Sequence, residues 1–335
     1  MLNKNYAIFT MVTDKYKQHL ITQMQSIFEY APSDITLNFH ILYNPEEFVL
    51  CNTIRNLICR IQTKSRIFIS LHTVVRNEFN EYTTIKHMNS TEFNKRARFF
   101  KINQLLHGKK ELWKDYDAVC MLDADMFIVS EQFFDLFDLV NSTDKIIVCN
   151  EKFKWETGNY FLPINKSGEE NHIFKQKSKK LFKMHCSVPI FLNPGKKTSE
   201  KMFVAYLQFA NDGYQIKGGN CAGIGDIYCW NLMIKYLYLE DKIISFPMET
   251  MTQVHQTNLN HNTHLIEDDG YWYTMAGDQV FCLHGRVNEK NFIEGGVNRA
   301  IKDHPYYTEK QISDIKKSLT KIQNKWYTLN KEGQK

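Results

Sequence analysis

The chain has 335 residues and a net charge of +5, with 43% hydrophobic and 13% aromatic residues. This composition excludes a disordered chain, and the length predicts one large domain or two closely packed ones. The mild positive charge is compatible with a small anionic substrate but is too weak to indicate nucleic acid as a partner.

The eight cysteines form no CxxC pair and no disulfide-framework spacing, which favours buried, reduced thiols and a reducing compartment. The amino terminus, MLNKNYAIFTMVTDKY, has too short an apolar stretch for a signal peptide. No apolar run reaches the roughly 18 residues that a membrane-spanning helix requires. We therefore expect a soluble, cytoplasmic protein without a transmembrane segment.

The first 145 residues alternate between strand-like and helix-like patterns. The strand-like segments are 6–12, 35–43 and 66–75. The helix-like segments are 16–30, 48–61 and 93–106. A strand that carries two aspartates follows, and then a helix through Phe133, Phe137 and Val140. This alternation predicts an α/β fold in which helices cover both faces of a sheet.

The alternation weakens after residue 145. A polar stretch at 157–183 predicts a long loop, 187–192 predicts a strand, and 199–211 and 226–238 predict helices. After Pro305, apolar residues recur at spacings of three and four and predict a helix with a narrow apolar stripe. The stripe consists of Ile312, Ile315, Leu319, Ile322 and Trp326.

The segment VCMLDADMFIV, residues 119–129, places Asp123 and Asp125 inside an otherwise apolar strand. Residues i and i+2 of a strand face the same side, and ligands of open α/β sheets bind at the carboxyl ends of strands. Two neighbouring carboxylates need a cation between them, unless one is protonated. The pattern therefore favours a hard divalent metal over the alternative, in which one aspartate caps a turn and the other pairs with a surface lysine.

Six short segments, taken together and in order, resemble the pattern of one enzyme family. They are IFTMVTDKY (8–16), FFKI (99–102), WKDYD (113–117), MLDADMFIV (121–129), FFDLF (133–137) and CLHGR (282–286). The chain resembles the GT-A-fold nucleotide-sugar glycosyltransferases, in particular the glycogenin/galactosyltransferase-like family 8, from residue 6 to about residue 295. The resemblance implies a Rossmann-like mixed sheet flanked by helices, with an acceptor-side elaboration and a C-terminal helix.

The same resemblance implies how the chain is organised and what it does. Residues 1–145 would form a nucleotide-sugar-binding half, 146–300 an acceptor-binding half of the same domain, and 301–335 a helical tail. The implied activity is a hexosyltransferase reaction: metal-dependent transfer of a sugar from a UDP-sugar to a glycan or other acceptor hydroxyl, with retention. An imidazole beside two carboxylates suits Mn²⁺ better than Mg²⁺, although Mg²⁺ remains an alternative.

The resemblance also assigns individual residues. Thr10, Val12 and Tyr16 would line the uridine site, with Tyr16 against the base. The other implied donor contacts are Lys101, Asp123, Gly285 and Arg286. Asp123, Asp125 and His284 would bind the metal. Asp226 would be the catalytic carboxylate on the acceptor side.

Three segments depart from the family pattern. Gly225-Asp226-Ile227 stands where the family has Gly-Asp-Gln, and 186–189 lacks the family's glycine. The last loop lacks Lys-Pro-Trp, so that Arg286 or Lys290 would have to supply its cation. These departures leave the sugar and the stereochemical outcome open.

Two other classes compete with a transferase. A haloacid-dehalogenase-type phosphohydrolase also places Asp-x-Asp after an apolar strand, but that strand lies near the amino terminus and a later Gly-Asp-x-x-x-Asp completes the magnesium site. Here about 120 residues precede the strand, and no second acid follows Gly225-Asp226 at that spacing. The altered Asp226 segment also keeps open a non-catalytic protein that binds nucleotide-sugars or glycans.

Two basic segments have alternative interpretations. The lysine-rich segment 175–180 lacks interleaved aromatic residues, which favours a solvated loop over nucleic-acid binding. The lysines of the C-terminal stripe helix could contact an anionic membrane as a peripheral surface, but we expect this helix to dock on the body of the protein.

Overall fold

The structure of the protein is a computed structural model. It describes residues 4–45, 48–73, 113, 115–155, 163–164, 182–202, 215–216, 230, 234, 238–246, 265–274, 277–285, 292–303 and 305–332. The strands are β1 (Asn5–Val12), β2 (Thr36–Tyr43), β3 (Ile67–Thr73), β4 (Ala118–Asp123), β5 (Met126–Ile128), β6 (Ile146–Trp155), β7 (Pro163–Ile164), β8 (Phe182–Leu192), β9 (Gln215–Ile216), β10 (Ile243–Phe246), β11 (Leu265–Asp268), β12 (Tyr271–Thr274) and β13 (Cys282–His284). The helices are α1 (Lys17–Tyr30), α2 (Asn52–Lys64), α3 (Asp135–Asn141), α4 (Phe292–Asp303) and α5 (Glu309–Glu332). Single turns of 3₁₀ helix cover Asp14–Tyr16, Glu131–Phe134 and Glu240–Lys242.

The main sheet has seven strands in the order β10-β6-β8-β4-β1-β2-β3. It is mixed, because β1, β2 and β3 pair in parallel whereas β6 and β8 pair antiparallel. β1 lies inside the sheet, between β4 and β2, and most of its residues are apolar and buried. The predicted α/β fold is confirmed.

Contacts divide the chain into two compact units. The first comprises Met1–Thr73, Met121–Leu139 and Phe246–Lys335, and the second comprises Val74–Cys120 and Val140–Ser245. The predicted division at residues 145 and 300 stays a prediction. Among the described residues, no helix has both the length and the apolar composition of a membrane span.

The first unit contains a core cluster that joins α4 and α5 to the short strands β5 and β13. Three residues of the predicted stripe, Ile315, Leu319 and Ile322, are buried in it beside Trp272 and Phe292. Helix α5 also contacts α1: Lys325 of α5 donates a 2.6 Å hydrogen bond to the Tyr30 hydroxyl and lies 2.8 Å from the Glu29 carboxylate. The C-terminal helix is therefore docked on α1 and the core, as expected.

Several predicted boundaries differ from the structure. The second helix begins at Asn52 instead of residue 48. Strand β6 was not predicted, because four of its last six residues, NEKFKW, are polar or charged. Antiparallel pairing with β8 provides hydrogen-bond partners for its backbone even though the apolar pattern of a strand is missing. The two-residue strand β7 lies within the predicted loop 157–183, and β8 begins at Phe182, five residues before the predicted strand start at residue 187.

Three predicted helices fall largely or wholly outside the described residues. The segment 93–106 lies outside them completely, and 199–211 is described as far as residue 202. Of the segment 226–238, Trp230 and Ile234 are described as helical, and both are buried. The described free cysteines are Cys51, Cys59, Cys120, Cys149 and Cys282.

Candidate active site

The two aspartates lie at a tight turn between two strands. β4 ends at Asp123, Ala124 and Asp125 form the turn, and β5 begins at Met126. The apolar run 119–129 is thus divided between two strands, because β5 leaves the main sheet and pairs with β13. The carboxylates therefore stand at a strand end, where a polar group need not be buried in the core.

Antiparallel pairing of β5 with β13 brings His284 to this turn. His284 lies opposite Met126, and Leu283 lies opposite Phe127. The backbone N–H of Gly285 extends this pairing by donating a 2.9 Å hydrogen bond to the carbonyl of Asp125. The placement of His284 therefore follows from strand register and not from sequence proximity.

Asp123, Asp125 and His284 form a compact, partly buried triad. Each offers one ligand atom, and these three atoms lie within 4.8 Å of one another. Nε2 of His284 lies 3.3 Å from Oδ1 of Asp125, and the two side chains are 21% and 12% exposed. The structure brings together the three residues that sequence reasoning assigned to a metal, and their donor set can hold a divalent cation.

Asp125 is held in its ionised form. Burial by itself would raise the pKa of this carboxyl, because a carboxylate loses hydration when it is buried. The attraction and hydrogen bond of His284, together with the attraction of His19, outweigh burial and place the pKa of Asp125 below its usual range. A negative charge is thus available beside Asp123 at neutral pH.

Two buried polar residues of helix α1 form hydrogen bonds with the backbone of the turn and of β5. Nε2 of Gln23 donates hydrogen bonds to the carbonyls of Asp123 (2.7 Å) and Met126 (2.8 Å). Oγ of Ser26 accepts a 3.0 Å bond from the backbone N–H of Ile128. Sequence reasoning missed both residues, because α1 also carries other polar side chains and nothing in the sequence sets Gln23 and Ser26 apart from them.

The residues predicted to line a uridine site lie at the end of β1 and just after it. Thr10 and Val12 are buried, whereas Tyr16 ends the first 3₁₀ turn and is partly exposed. The ring of Tyr16 lies 5.6 Å from that of His19, centroid to centroid. The charge of His19 in turn contributes to the lowered pKa of Asp125.

Three predicted site residues cannot be placed in this way. Lys101, Asp226 and Arg286 lie outside the described residues. Gly285 is described and buried, directly after the histidine of the triad. Because its N–H already bonds to the carbonyl of Asp125, the amide N–H of Gly285 is not free to bind a ligand.

No protein-family model matches this sequence, and no curated protein matches it. A solved structure described as the apo form of WbbM, a bifunctional glycosyltransferase, aligns with 91% of this chain and 52% of its own, at 14% identity and a TM-score of 0.52. The chain has a GT-A-type glycosyltransferase fold. It spans about half the length of WbbM.

Two further solved structures align with lower scores. Mouse xyloside xylosyltransferase 1, in its apo form, is 14% identical over 75% of this chain and 87% of its own, with a TM-score of 0.44. The mannosyltransferase Ktr4p from S. cerevisiae is 13% identical over 73% of this chain and 69% of its own, also with a TM-score of 0.44. Membership of family 8 stays a prediction.

Proposed function

We propose that this protein is a metal-dependent glycosyltransferase that moves a sugar from a UDP-sugar to an acceptor hydroxyl. The observation that carries the proposal is the convergence of Asp123, Asp125 and His284 within 4.8 Å at one strand end. This convergence occurs in a chain whose fold is that of a glycosyltransferase. This fold favours a glycosyltransferase over a haloacid-dehalogenase-type phosphohydrolase.

The triad fits a divalent cation by its chemistry. Two carboxylates supply the oxygen ligands that hard cations prefer, and an imidazole favours Mn²⁺ over Mg²⁺. Because the pKa of Asp125 is lowered, this carboxylate is already ionised before a cation binds. When bound, the cation would neutralise negative charge that develops on the departing nucleotide diphosphate.

The chain's own residues would bind and orient the donor around this point. Tyr16, which is partly exposed just before α1, would lie against the uracil ring, and the buried Thr10 and Val12 would support the floor of that pocket. Gly285, beside His284, would leave room for the diphosphate because it has no side chain. Lys101 and Arg286 would provide further positive charge.

The acceptor side of the proposal rests on Asp226. A fixed carboxylate there would orient the transferred hexose or stabilise positive charge at its anomeric carbon. In a retaining transfer the acceptor, a glycan or another hydroxyl compound, attacks from the face that the diphosphate leaves. NMR of the first product anomer tests this stereochemistry, and an inverted product would contradict it.

The deciding experiment is a screen of nucleotide-sugars that measures released nucleotide in the presence of Mn²⁺ or EDTA. We expect release from a UDP-sugar that requires Mn²⁺ and is lost in Asp125→Asn. Asp241→Asn is the matched control, because it makes the same charge change at an exposed position of the second unit. Metal-independent release, or full activity of Asp125→Asn, would contradict the proposal. Mn²⁺-dependent UDP binding without any turnover would instead indicate a non-catalytic nucleotide-sugar-binding protein.

A further inference from the structure

One buried amide group ties together both ends of the turn that carries the triad. Gln23, on α1, is 0% exposed, and its Nε2 atom donates to the carbonyls of Asp123 and Met126 at 2.7 and 2.8 Å. These two carbonyls bracket Ala124 and Asp125, the two residues of the turn. Gln23 therefore uses both N–H groups of its side chain to fix the backbone on either side of Asp125.

The oxygen of the Gln23 side-chain amide makes burial of a glutamine at this position partly unfavourable. Oε1 of Gln23 is buried and has no hydrogen-bond partner within the described part of the chain. A buried acceptor without a partner is unfavourable, whereas an apolar side chain of similar shape would avoid this cost. The two donated bonds are therefore the interactions that glutamine contributes at this position.

Ser26 makes a comparable bond next to the turn but not across it. Its Oγ accepts from the N–H of Ile128, inside β5, and donates a 2.8 Å bond to the carbonyl of Gln23. Both residues lie on α1, both are buried, and both hold β5. Gln23 alone of the two contacts the backbone of a triad residue, Asp123.

We propose that Gln23 is a positioning residue for the metal site. By fixing the carbonyls of Asp123 and Met126, it sets the spacing of the two carboxylates and keeps Asp125 within reach of His284. Without these bonds, the turn would lose its hydrogen bonds to α1 and keep the one that the N–H of Gly285, directly after β13, donates to the carbonyl of Asp125. The carboxylates would then have to be ordered when a cation binds, and affinity would fall. This inference rests on the metal site of the proposed function.

The test measures Mn²⁺ affinity directly, by the electron paramagnetic resonance signal of free Mn²⁺, without any sugar donor. The variants are Gln23→Met, which keeps the shape and removes both donors, Ser26→Ala and Asp125→Asn. We expect Gln23→Met to weaken Mn²⁺ binding about tenfold, as is typical when a group that orients metal ligands is removed. Ser26→Ala should lower thermal stability while changing Mn²⁺ affinity less than about twofold, because it does not touch the turn.

The outcomes separate this inference from the function on which it rests. If Asp125→Asn binds Mn²⁺ as well as the wild type, the metal site and the proposed function both fail. If Asp125→Asn loses Mn²⁺ but Gln23→Met does not, the metal site stands and the positioning role is wrong. Equal weakening in Gln23→Met and Ser26→Ala would also overturn it, since both would then act only through stability. Gln23→Leu provides the same comparison if Gln23→Met does not fold.

Discussion

His284 lies against Asp125, with 3.3 Å between Nε2 and Oδ1, although the two residues are far apart in the sequence. The contact exists because β13 pairs with β5 in a register that sets His284 opposite Met126, one residue after Asp125. An imidazole is thereby added to a pair of carboxylates. The nature of the third ligand is what would set the choice of cation at this site.

Replacing the imidazole by an oxygen donor should shift the metal preference. In His284→Asn we expect the ratio of Mn²⁺ to Mg²⁺ affinity to fall by about tenfold, because imidazole favours Mn²⁺ whereas oxygen ligands suit Mg²⁺. Displacement of Mn²⁺ by Mg²⁺, followed by electron paramagnetic resonance, measures this ratio. His72→Asn, on β3, is the control and should leave it unchanged. An unaltered ratio in His284→Asn would remove His284 from the ligand set.

The uridine assignment predicts selective thermal protection. A ligand that binds the native state alone raises stability by about 2.7 kcal/mol at a concentration of about 100 times its Kd. With Mn²⁺ present, UDP should therefore raise the melting temperature by more than GDP does, and Tyr16→Ala should reduce this protection. Tyr306→Ala is the control, since Tyr306 is 91% exposed. Equal or greater protection by GDP would indicate a different class of donor.

Local patterns sufficed for the first three strands of the sheet and for the position of the carboxylates. The apolar periods of β1, β2, α1 and the C-terminal stripe gave elements whose bounds agree with the structure to within a few residues. Asp123 and Asp125 were recognisable because two charges inside an apolar run require a specific partner. The third member, His284, came from the family resemblance, since nothing in the residues around it distinguishes a ligand from an ordinary loop histidine.

Contacts that depend on pairing of distant segments could not be predicted in this way. Gln23 looks like a solvent-facing helix residue, because a polar side chain in a helical pattern is normally assigned to the exposed face. Its partners are backbone carbonyls, and since every residue has one, the sequence does not show which of them Gln23 contacts. The hairpin of β11 and β12 was likewise missed, because its residues LIEDDGYWYT offer only a short alternation around a turn.

The close contact of α4 with α5 predicts an unfavourable effect of a small substitution. A Cβ atom at Gly296 would lie 2.5 Å from Cδ1 of Leu319, which is buried in the core cluster. We expect Gly296→Ala to destabilise the protein by up to about 2 kcal/mol, because an overpacking cost of about 1–3 kcal/mol exceeds the gain in helix propensity of about 1 kcal/mol. Urea denaturation measures this change.

The Leu319→Ala background provides the matched control for that effect. Leu319→Ala alone should cost about 2–5 kcal/mol, but it also removes the atom with which the new Cβ would collide. Gly296→Ala should then be neutral or stabilising in this background, and the two changes should be non-additive. Simple additivity of the two costs would show that Leu319 is not the cause.

His40 predicts how stability depends on pH. Its ring is buried in β2, stacks on Phe9 at a centroid distance of 4.5 Å, and shares a 2.8 Å contact between its Nδ1 and Nε2 of His72. Burial, followed by the charge of His72, lowers the pKa of His40 from 6.5 to about 3. Since the folded state disfavours the protonated ring, the stability that His40 contributes is fully present above pH 6.5. It is lost as the pH falls toward 3.

The variant His40→Phe isolates this contribution, because it can keep the ring stack on Phe9 but cannot bind a proton. Between pH 6.5 and about 4 the wild type should lose on the order of 3 kcal/mol through this group, and His40→Phe should show a flatter decline. Urea midpoints measured across this range provide the comparison. His72→Gln should retain most of the wild-type slope, since burial of His40 is the larger cause. Parallel curves for the wild type and His40→Phe would mean that His40 is protonated in the folded state.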